Sequence, residues 1–538
     1  MMGLPRRPER GGSALLMSMA AGALSTLSHV HTQAWWLPLL TAGALAAAVW
    51  RSAPGRAALW GLAFGLGWLL AGTWWLFISL HVYGGLPAPL AVLSVLLLSG
   101  LLSVYLAAAM AWVAWCRSGG LVLDAAVFTG AWLLAELARG VIFTGFPWAA
   151  AGYAQVDGPL AALAPWLGVY GLGAAVGLIG ALLAWPWAGT GAVEVWPMER
   201  SWRPRLRAAA PLSALGLLAL TPLASTDHTE PAGRVRVSLV QTAISQDEKF
   251  LPQAMPQALE WLARALAQSR GQLVVAPETA VPLLPADLPP DVWAELRAPF
   301  EGTGRAALVG MPLGSFEQGY TNSVVGLGAG AGSETAMADY RYDKHHLVPF
   351  GEFVPWGFRW FVDMMNIPLG DFNRGVLGAP SFEALGQRWA PNICYEDLFG
   401  EELARRFEDP TRAPTVMVNV SNIAWFGHTI AIDQHLHISR MRSLEFQRPM
   451  IRATNTGPTV VIDHQGRVRY WMKPQERGVL EGSVEGRTGL TPFARWSSAW
   501  GLWPLLGAGV LLALMGLAAR QRTRAGRRGR PRCLESDG

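Results

Sequence analysis

The chain has 538 residues, of which 51% are hydrophobic and only 15% charged, with 26 Trp and a formal net charge of +5. Soluble globular proteins average about 25% charged residues, so a wholly water-soluble enzyme, a disordered chain and a small disulfide scaffold are excluded. The charge is unevenly placed: Ser225–Ser497 carries 25 Lys and Arg against 30 Asp and Glu, and the rest of the chain is basic. Basic residues flanking apolar runs read as a membrane-topology signal rather than a nucleic-acid footprint.

Eight runs are apolar enough to be read as membrane spans: Ser13–His29, Ala34–Trp50, Ala57–Leu80, Pro87–Cys116, Leu121–Leu137, Pro165–Trp187, Ala208–Leu223 and Ala499–Ala519. With the N-terminus inside, seventeen Arg fall on inner segments: Arg6, Arg7 and Arg10; Arg51 and Arg56; Arg117; four from Arg200 to Arg207; and seven from Arg520 onward. The short outer loops hold only Arg139. That asymmetry follows the positive-inside rule. The expected organisation is a membrane domain of about seven helices over 1–224, an exported globular domain over 225–497, a last transmembrane helix over 498–520 and a cytoplasmic basic tail over 521–538. Asp124 and Glu136 fall in or near spans, where ionisable residues often serve function; Glu136 and Arg139, three apart, also suit a local ion pair.

In the globular region short apolar runs alternate with helical patterns. Strands are expected at Val235–Gln241, Gln272–Ala276, Ala306–Gly310, Asn322–Leu327, Asn392–Tyr395, Val416–Val420, Ile451–Ala453 and Thr459–Asp463. Leu251–Ser269 and Thr429–Phe446 read as helices, with shorter ones at Asp291–Phe300 and Glu401–Phe407. His464-Gln465-Gly466 marks a hairpin turn. Such alternation predicts a layered α/β domain with buried sheets.

Three cysteines occur, Cys116, Cys394 and Cys533, and only Cys394 falls in the exported region. A lone exported thiol is either an inert core residue or a reactive one. Its context favours reactivity, because Cys394 ends a strand-like segment and leads into Tyr395-Glu396-Asp397. Glu278 likewise follows an apolar strand, LVVAPE. Lys344 is one of three Lys in the region, with Lys249 and Lys473, against 22 Arg. Thiol, carboxylate and ammonium suffice for acyl transfer as nucleophile, general base and oxyanion stabiliser. The ammonium is also expected to favour the thiolate.

These motifs resemble the nitrilase superfamily and, within it, the apolipoprotein N-acyltransferase family. APETAVP places the family's general base on Glu278. YDKHHLVPFGEFVP places its lysine on Lys344 and a second essential glutamate on Glu352, and ICYE places the nucleophile on Cys394. NVSNIAWFGHT and the stretch through RATNTGPT are also similar, with Trp425 and Phe426 on a loop near the site; Phe250 stands where the family often has Trp.

The resemblance implies a polytopic α-helical membrane protein with an exported nitrilase-like αββα sandwich. It implies an N-acyltransferase of the bacterial inner membrane, with a periplasmic catalytic domain and both termini cytoplasmic. Cys394 would take an acyl chain from a phospholipid, phosphatidylethanolamine being the implied donor. The thioester would then acylate the α-amine of a diacylglyceryl-modified N-terminal cysteine in lipoproteins, the last step of their maturation. No metal, nucleotide or other cofactor is implied. Tyr395, Glu396 and Glu352 are expected to support the chemistry, and Phe250, Trp425, Phe426 and Trp148 to contact lipid. Phe143, Phe146 and Trp148 are expected at headgroup depth. A membrane-tethered amidase or nitrilase is the alternative, and a non-enzymatic lipid or lipoprotein transporter a third reading. His345, His346, His428, His435 and His437 invite a metal reading, but His435 and His437 stand two apart on a helical pattern and do not share a face. Asn322 and Asn419 suit either substrate contacts or strand-end hydrogen bonds.

Overall fold

The computed structural model describes residues 11–188, 202–328, 340–362, 364 and 371–528; Arg6, Arg7, Arg10, Arg200, Arg530, Arg532 and Cys533 lie outside the described residues. Each of the eight apolar runs contains helix. The first seven fold as α1 (Gly11–Ser25), α2 (Leu37–Val49), α3 (Pro54–Thr73), α4 (Ala88–Cys116), α5 (Leu121–Val141), α6 (Ala164–Ala184) and α7 (Trp202–Leu220). The eighth is bent by 91° between Pro492–Trp500 and Trp503–Leu517.

Among the described residues, four helical segments are long and apolar enough to span alone: Gly12–Val30, Ala88–Cys116, Leu121–Thr144 and Pro159–Trp187; the bent pair would make a fifth. The difference from eight has a physical origin. With 13 residues, α2 extends only about 20 Å, short of the roughly 30 Å hydrocarbon core. α3 has the length, at 20 residues, but five glycines dilute its hydropathy. Those glycines serve packing. A Cβ at Gly67 would strike the Met19 carbonyl, and one at Gly22 the Phe64 carbonyl, so α1 and α3 meet backbone to backbone. In α7 the apolar stretch is short and Pro211 interrupts the helix.

Two acidic groups of this part find local partners. Asp124 accepts from the backbone N–H groups of Ser118 and Gly119 and from the Ser118 hydroxyl, closing the turn that enters α5. Glu136 pairs with Arg139 at 3.5 Å and accepts from the Ala151 N–H at 2.8 Å.

Among the described residues, twelve strands form two six-stranded sheets. The first runs in the order β12 (Gly478–Gly489), β1 (Thr229–Gln241), β2 (Leu273–Val275), β3 (Ala306–Ser315), β4 (Gly319–Leu327), β5 (Tyr340–Asp343). The second runs β11 (Val468–Met472), β10 (Thr459–Ile462), β9 (Met450–Thr454), β8 (Val416–Ser421), β7 (Gln387–Ile393), β6 (Phe382–Ala384). Strand alternation separates the layers. Val237, Leu239, Leu273, Val275 and Leu308 of one sheet meet Ile393, Val416, Val418, Val420 and Ile451 of the other in one buried core. Their intervening neighbours Val240, Val274, Ala307 and Val309 pack against α8 (Met255–Gln268) and α9 (Pro290–Arg297). On the outer side of the second sheet, Met417, Met450 and Val460 pack against α10 (Ala431–Phe446) and α11 (Pro492–Trp500). This is the four-layer αββα arrangement that the resemblance implies. The His464-Gln465-Gly466 turn joins β10 to β11, with Gly466 at φ 72°.

α10 also lies on the membrane part. Gln434 accepts the indole N–H groups of Trp75 and Trp148 and donates to the Gly72 carbonyl. The Arg440 guanidinium clamps the Asp157 carboxylate through both oxygens, and Glu445 accepts the Val169 N–H at 2.7 Å. One helix therefore fixes how the sandwich sits on the helical bundle.

Candidate active site

Three strands deliver the key side chains from their C-terminal ends. β2 runs parallel between β1 and β3 and leads through Ala276 and Pro277 to Glu278. β5 leads into Lys344. β7, parallel to β8 in the facing sheet, leads into Cys394, which turns left-handed at φ 52°. Parallel sheets present ligand sites at the carboxyl ends of their strands, and here two facing sheets do so at one place.

Lys344, 1% exposed, donates to Glu352 Oε1 at 2.8 Å and lies 3.6 Å from Glu278 Oε1. The Asn322 amide bridges the two carboxylates, donating to Glu278 Oε1 at 2.7 Å and Glu352 Oε1 at 2.9 Å. Glu278 Oε2 accepts the Asn422 N–H at 2.7 Å, and Glu352 Oε2 accepts the Val348 N–H at 2.8 Å. Burial alone would lower the Lys344 pKa, but the carboxylates of Glu352 and Glu278 outweigh it and hold the ammonium charged well above the usual lysine range.

Cys394 is half-buried. Burial and the Glu278 charge push its thiol up to about 12, and Lys344 opposes them only in part. The expected influence of Lys344 in favour of the thiolate is present but outweighed, so the thiol is held above the usual cysteine range and its ionisation calls for a base. Iodoacetamide alkylation of Cys394 is therefore expected to rise about tenfold per pH unit from 7 to 10, with no plateau near the ordinary cysteine pKa of about 8.5. A plateau below pH 9 in a stopped-time mass assay would contradict the protonated resting state.

Glu396, 4% exposed, ties the lysine loop to the Cys394 turn. It accepts from the Ile393 N–H, the Tyr342 hydroxyl and the N–H groups of His345 and His346. Burial raises its pKa against those donors. Tyr395 is buried and donates to the Gly145 carbonyl of the membrane part at 3.1 Å.

The aromatic expectations divide. Phe250, Trp425 and Phe426 are half-buried; Ser79 donates to the Trp425 carbonyl, and Tyr83 lies edge-on to the Trp425 ring. Phe143 is 81% exposed, whereas Trp148 is 2% exposed and does not face lipid. Trp148 is enclosed by Trp75, Phe426 and His435, with centroids 4.7, 5.7 and 5.4 Å away. Its indole N–H reaches Gln434, so tertiary packing and a buried hydrogen bond replace the headgroup contact expected of a loop Trp.

The histidines do separate work. His346 stacks on Phe399 and contacts Glu402, His437 contacts the Val30 carbonyl, and His435 faces Arg452. Among the described residues, no group of three or more His, Cys, Asp or Glu is arranged to hold a metal ion.

Sequence reading overlooked Lys249. Its ammonium is buried and donates to the Glu278 carbonyl at 3.0 Å; burial lowers its pKa to about 8. Its signal was the scarcity of lysine in an Arg-rich domain. Asn322 and Asn419 both act as strand-borne hydrogen-bond donors at the site, the latter to Asn392 Oδ1 at 2.7 Å.

An αββα sandwich with Glu, Lys and Cys gathered at its strand ends, seated on an apolar helical bundle, defines a membrane-bound carbon–nitrogen-hydrolase-type enzyme. The family described as "Carbon-nitrogen hydrolase" matches residues 236–492, and "Apolipoprotein N-acyltransferase N-terminal domain" matches residues 21–182. The chain is 51% identical to an apolipoprotein N-acyltransferase of Verminephrobacter eiseniae (strain EF01-2), over 87% of this chain and 89% of that one. It is 45% identical to an apolipoprotein N-acyltransferase of Ralstonia nicotianae (strain ATCC BAA-1114 / GMI1000), over 94% of this chain and 93% of that one. A solved carbon–nitrogen hydrolase from Helicobacter pylori G27 is 14% identical, covering 51% of this chain and 95% of that one with a TM-score of 0.33. The chain belongs to the apolipoprotein N-acyltransferase family.

Proposed function

We propose that the enzyme N-acylates lipoproteins by ping-pong transfer through Cys394, with a membrane phospholipid as acyl donor. In the first half-reaction Glu278 takes the thiol proton while Sγ attacks the ester carbonyl of the donor. The negative charge that develops on the carbonyl oxygen is stabilised by the Lys344 ammonium and backbone N–H groups. Collapse breaks the ester C–O bond, and the leaving glycerol oxygen recovers the proton from Glu278 as a lysophospholipid departs. In the second, the α-amine of a diacylglyceryl-cysteine attacks the thioester and gives its proton to Glu278. The C–S bond breaks, the sulfur is reprotonated, and the product is an amide. The thioester conserves the acyl-transfer potential between the two steps.

The observation that carries this reading is the contact of one buried ammonium with both Glu278 and Glu352, at the strand ends where their charges act on the Cys394 thiol. The extent of the membrane part supports a lipid donor, since moving a two-chain lipid into water costs about 0.8 kcal/mol per CH₂ exposed. Phosphatidylethanolamine is the proposed donor, and Phe250, Trp425 and Phe426 the proposed lipid contacts. Counting all seven apolar runs before the domain as crossings, the Arg distribution supports the orientation: a periplasmic catalytic domain over 225–497, cytoplasmic termini, and anchorage in the inner membrane by the spans before and after it. Hydrolysis of small amides is not favoured, because the family likeness runs through the membrane helices as well as the sandwich.

Incubating the full-length enzyme with isotope-labelled phosphatidylethanolamine is expected to leave a labelled acyl group on the Cys394 peptide, detected by mass spectrometry and removed on addition of diacylglyceryl peptide. Triacylated product formed without any such adduct would overturn the thioester route.

A further inference from the structure

The nucleophile turn is held from behind by a chain of contacts that reaches into the membrane part. The Cys394 carbonyl accepts from His435 Nε2 at 3.1 Å and Asn419 Nδ2 at 3.4 Å. His435 is fully buried. Arg452 Nη2 donates to its Nδ1 at 2.7 Å, so in the neutral ring the proton resides on Nε2 and points at the carbonyl. Arg452 is itself pinned, donating to Ser439 Oγ at 2.7 Å and to the His435 carbonyl at 3.1 Å, with Asp397 at 3.9 Å. The Trp148 ring stacks on the imidazole with an interplanar angle of 26°. Trp148 is in turn fixed through Gln434 to Trp75 and the Gly72 carbonyl.

The C=O and N–H of one planar peptide unit point in opposite directions. Anchoring the Cys394 carbonyl from behind therefore turns the Tyr395 N–H the other way. A non-glycine residue at φ 52° keeps that conformation only where its surroundings overdetermine it.

We propose that His435, seated on Trp148 of the membrane part, is a positioning residue that orients the Cys394–Tyr395 peptide so that the Tyr395 N–H faces the oxyanion formed at Cys394. The membrane part thereby braces the donor that stabilises the transition state, in addition to holding the enzyme at the bilayer. The inference rests on the acyl-transfer reading above.

Two reactions of the same sulfur separate this role from simple structural support. Acylation builds an oxyanion; alkylation by iodoacetamide displaces iodide at a saturated carbon and builds none. His435→Gln can place an amide nitrogen where Nε2 lies, whereas His435→Asn reaches only the Nδ1 position. With full-length enzyme in micelles containing labelled phosphatidylethanolamine, His435→Asn is expected to lower the limiting acylation rate about 100-fold, the cost of one misplaced oxyanion donor. Its KM and alkylation rate should stay within about threefold, as befits an interaction made only in the transition state. His435→Gln should acylate at least about tenfold faster than His435→Asn. Trp148→Leu leaves every His435 hydrogen bond available but removes the stacked ring, and is expected to show the same selective loss, about tenfold. Equal acylation by the Asn and Gln variants would overturn the proposal, as would alkylation falling in parallel with acylation. Should neither histidine variant fold, unchanged acylation by Trp148→Leu would overturn it. Failure of the unaltered enzyme to form an adduct would instead refute the acyl-transfer reading.

Discussion

Cys394→Ala is expected to lower lipoprotein N-acylation by about 10⁶-fold, the scale on which covalent catalysts respond to loss of the nucleophile. In the proposed mechanism nothing else in the site moves the acyl group: Glu278 and Lys344 act on the thiol and on the oxyanion it creates, and neither substitutes for it. The variant should fold normally, because Cys394 is only half-buried and Ala carries no greater penalty at φ 52° than Cys does. Both lysophospholipid release and the labelled adduct should vanish together. Cys394→Ser should also fail, since a hydroxyl is a far weaker acid than a thiol. Retained N-acylation by the Ala variant, measured as the mass of a triacylated lipopeptide, would remove the sulfur from the mechanism.

Lys344→Met is expected to lower acyl-enzyme formation by about 10³-fold through loss of the oxyanion cation. Unlike the cysteine variant, it should also destabilise the protein, by about 3–5 kcal/mol, the usual cost of stripping one partner from a buried ion pair. Lys344 is 1% exposed and touches both Glu278 and Glu352, so its removal leaves two buried carboxylates with only the Asn322 amide between them. Adding Glu352→Gln should recover much of the lost thermal stability, since one of the two repelling charges is gone, without restoring acylation. Lys344→Arg keeps the charge but puts a planar fork where a compact ammonium fits, and is expected to remain slow. A double variant no more stable than Lys344→Met in a thermal melt would show that the carboxylate pair is not what the lysine holds together.

The shape of the sandwich was legible where chemistry is local. Alternation in VRVSLVQ and VMVNV separates residues that face the other sheet from those that face the helices, and those strands appear in β1 and β8. The edge strands β5, β6 and β12 lie outside the predicted strands, and β11 enters only as the partner that the hairpin turn implies. β11 is largely exposed and carries Arg469, and β12 mixes Glu, Gly and Ser, so the apolar pattern of a buried strand is absent. Glu401–Phe407 was read as one helix but divides into Gly400–Leu403 and a 3₁₀ turn, Ala404–Phe407. The eight-span reading rests on apolar runs, whereas among the described residues four helical segments are long and apolar enough to span alone. α2 is short and α3 trades hydropathy for glycine contacts, a choice that only its neighbours explain.

By itself, the sequence determined the membrane character of the chain, its division into an apolar part and a globular part, and the identity and order of Glu278, Lys344 and Cys394. Those properties reside in residue type and short-range period. Tertiary structure alone decided that Asn322 joins the two carboxylates, that Glu396 ties the lysine loop to the Cys394 turn, and that burial and the Glu278 charge push the thiol pKa up. It also withdrew Trp148 from the lipid and put it behind His435. These outcomes depend on burial and on partners up to hundreds of residues away, and neither can be read from a residue and its immediate neighbours.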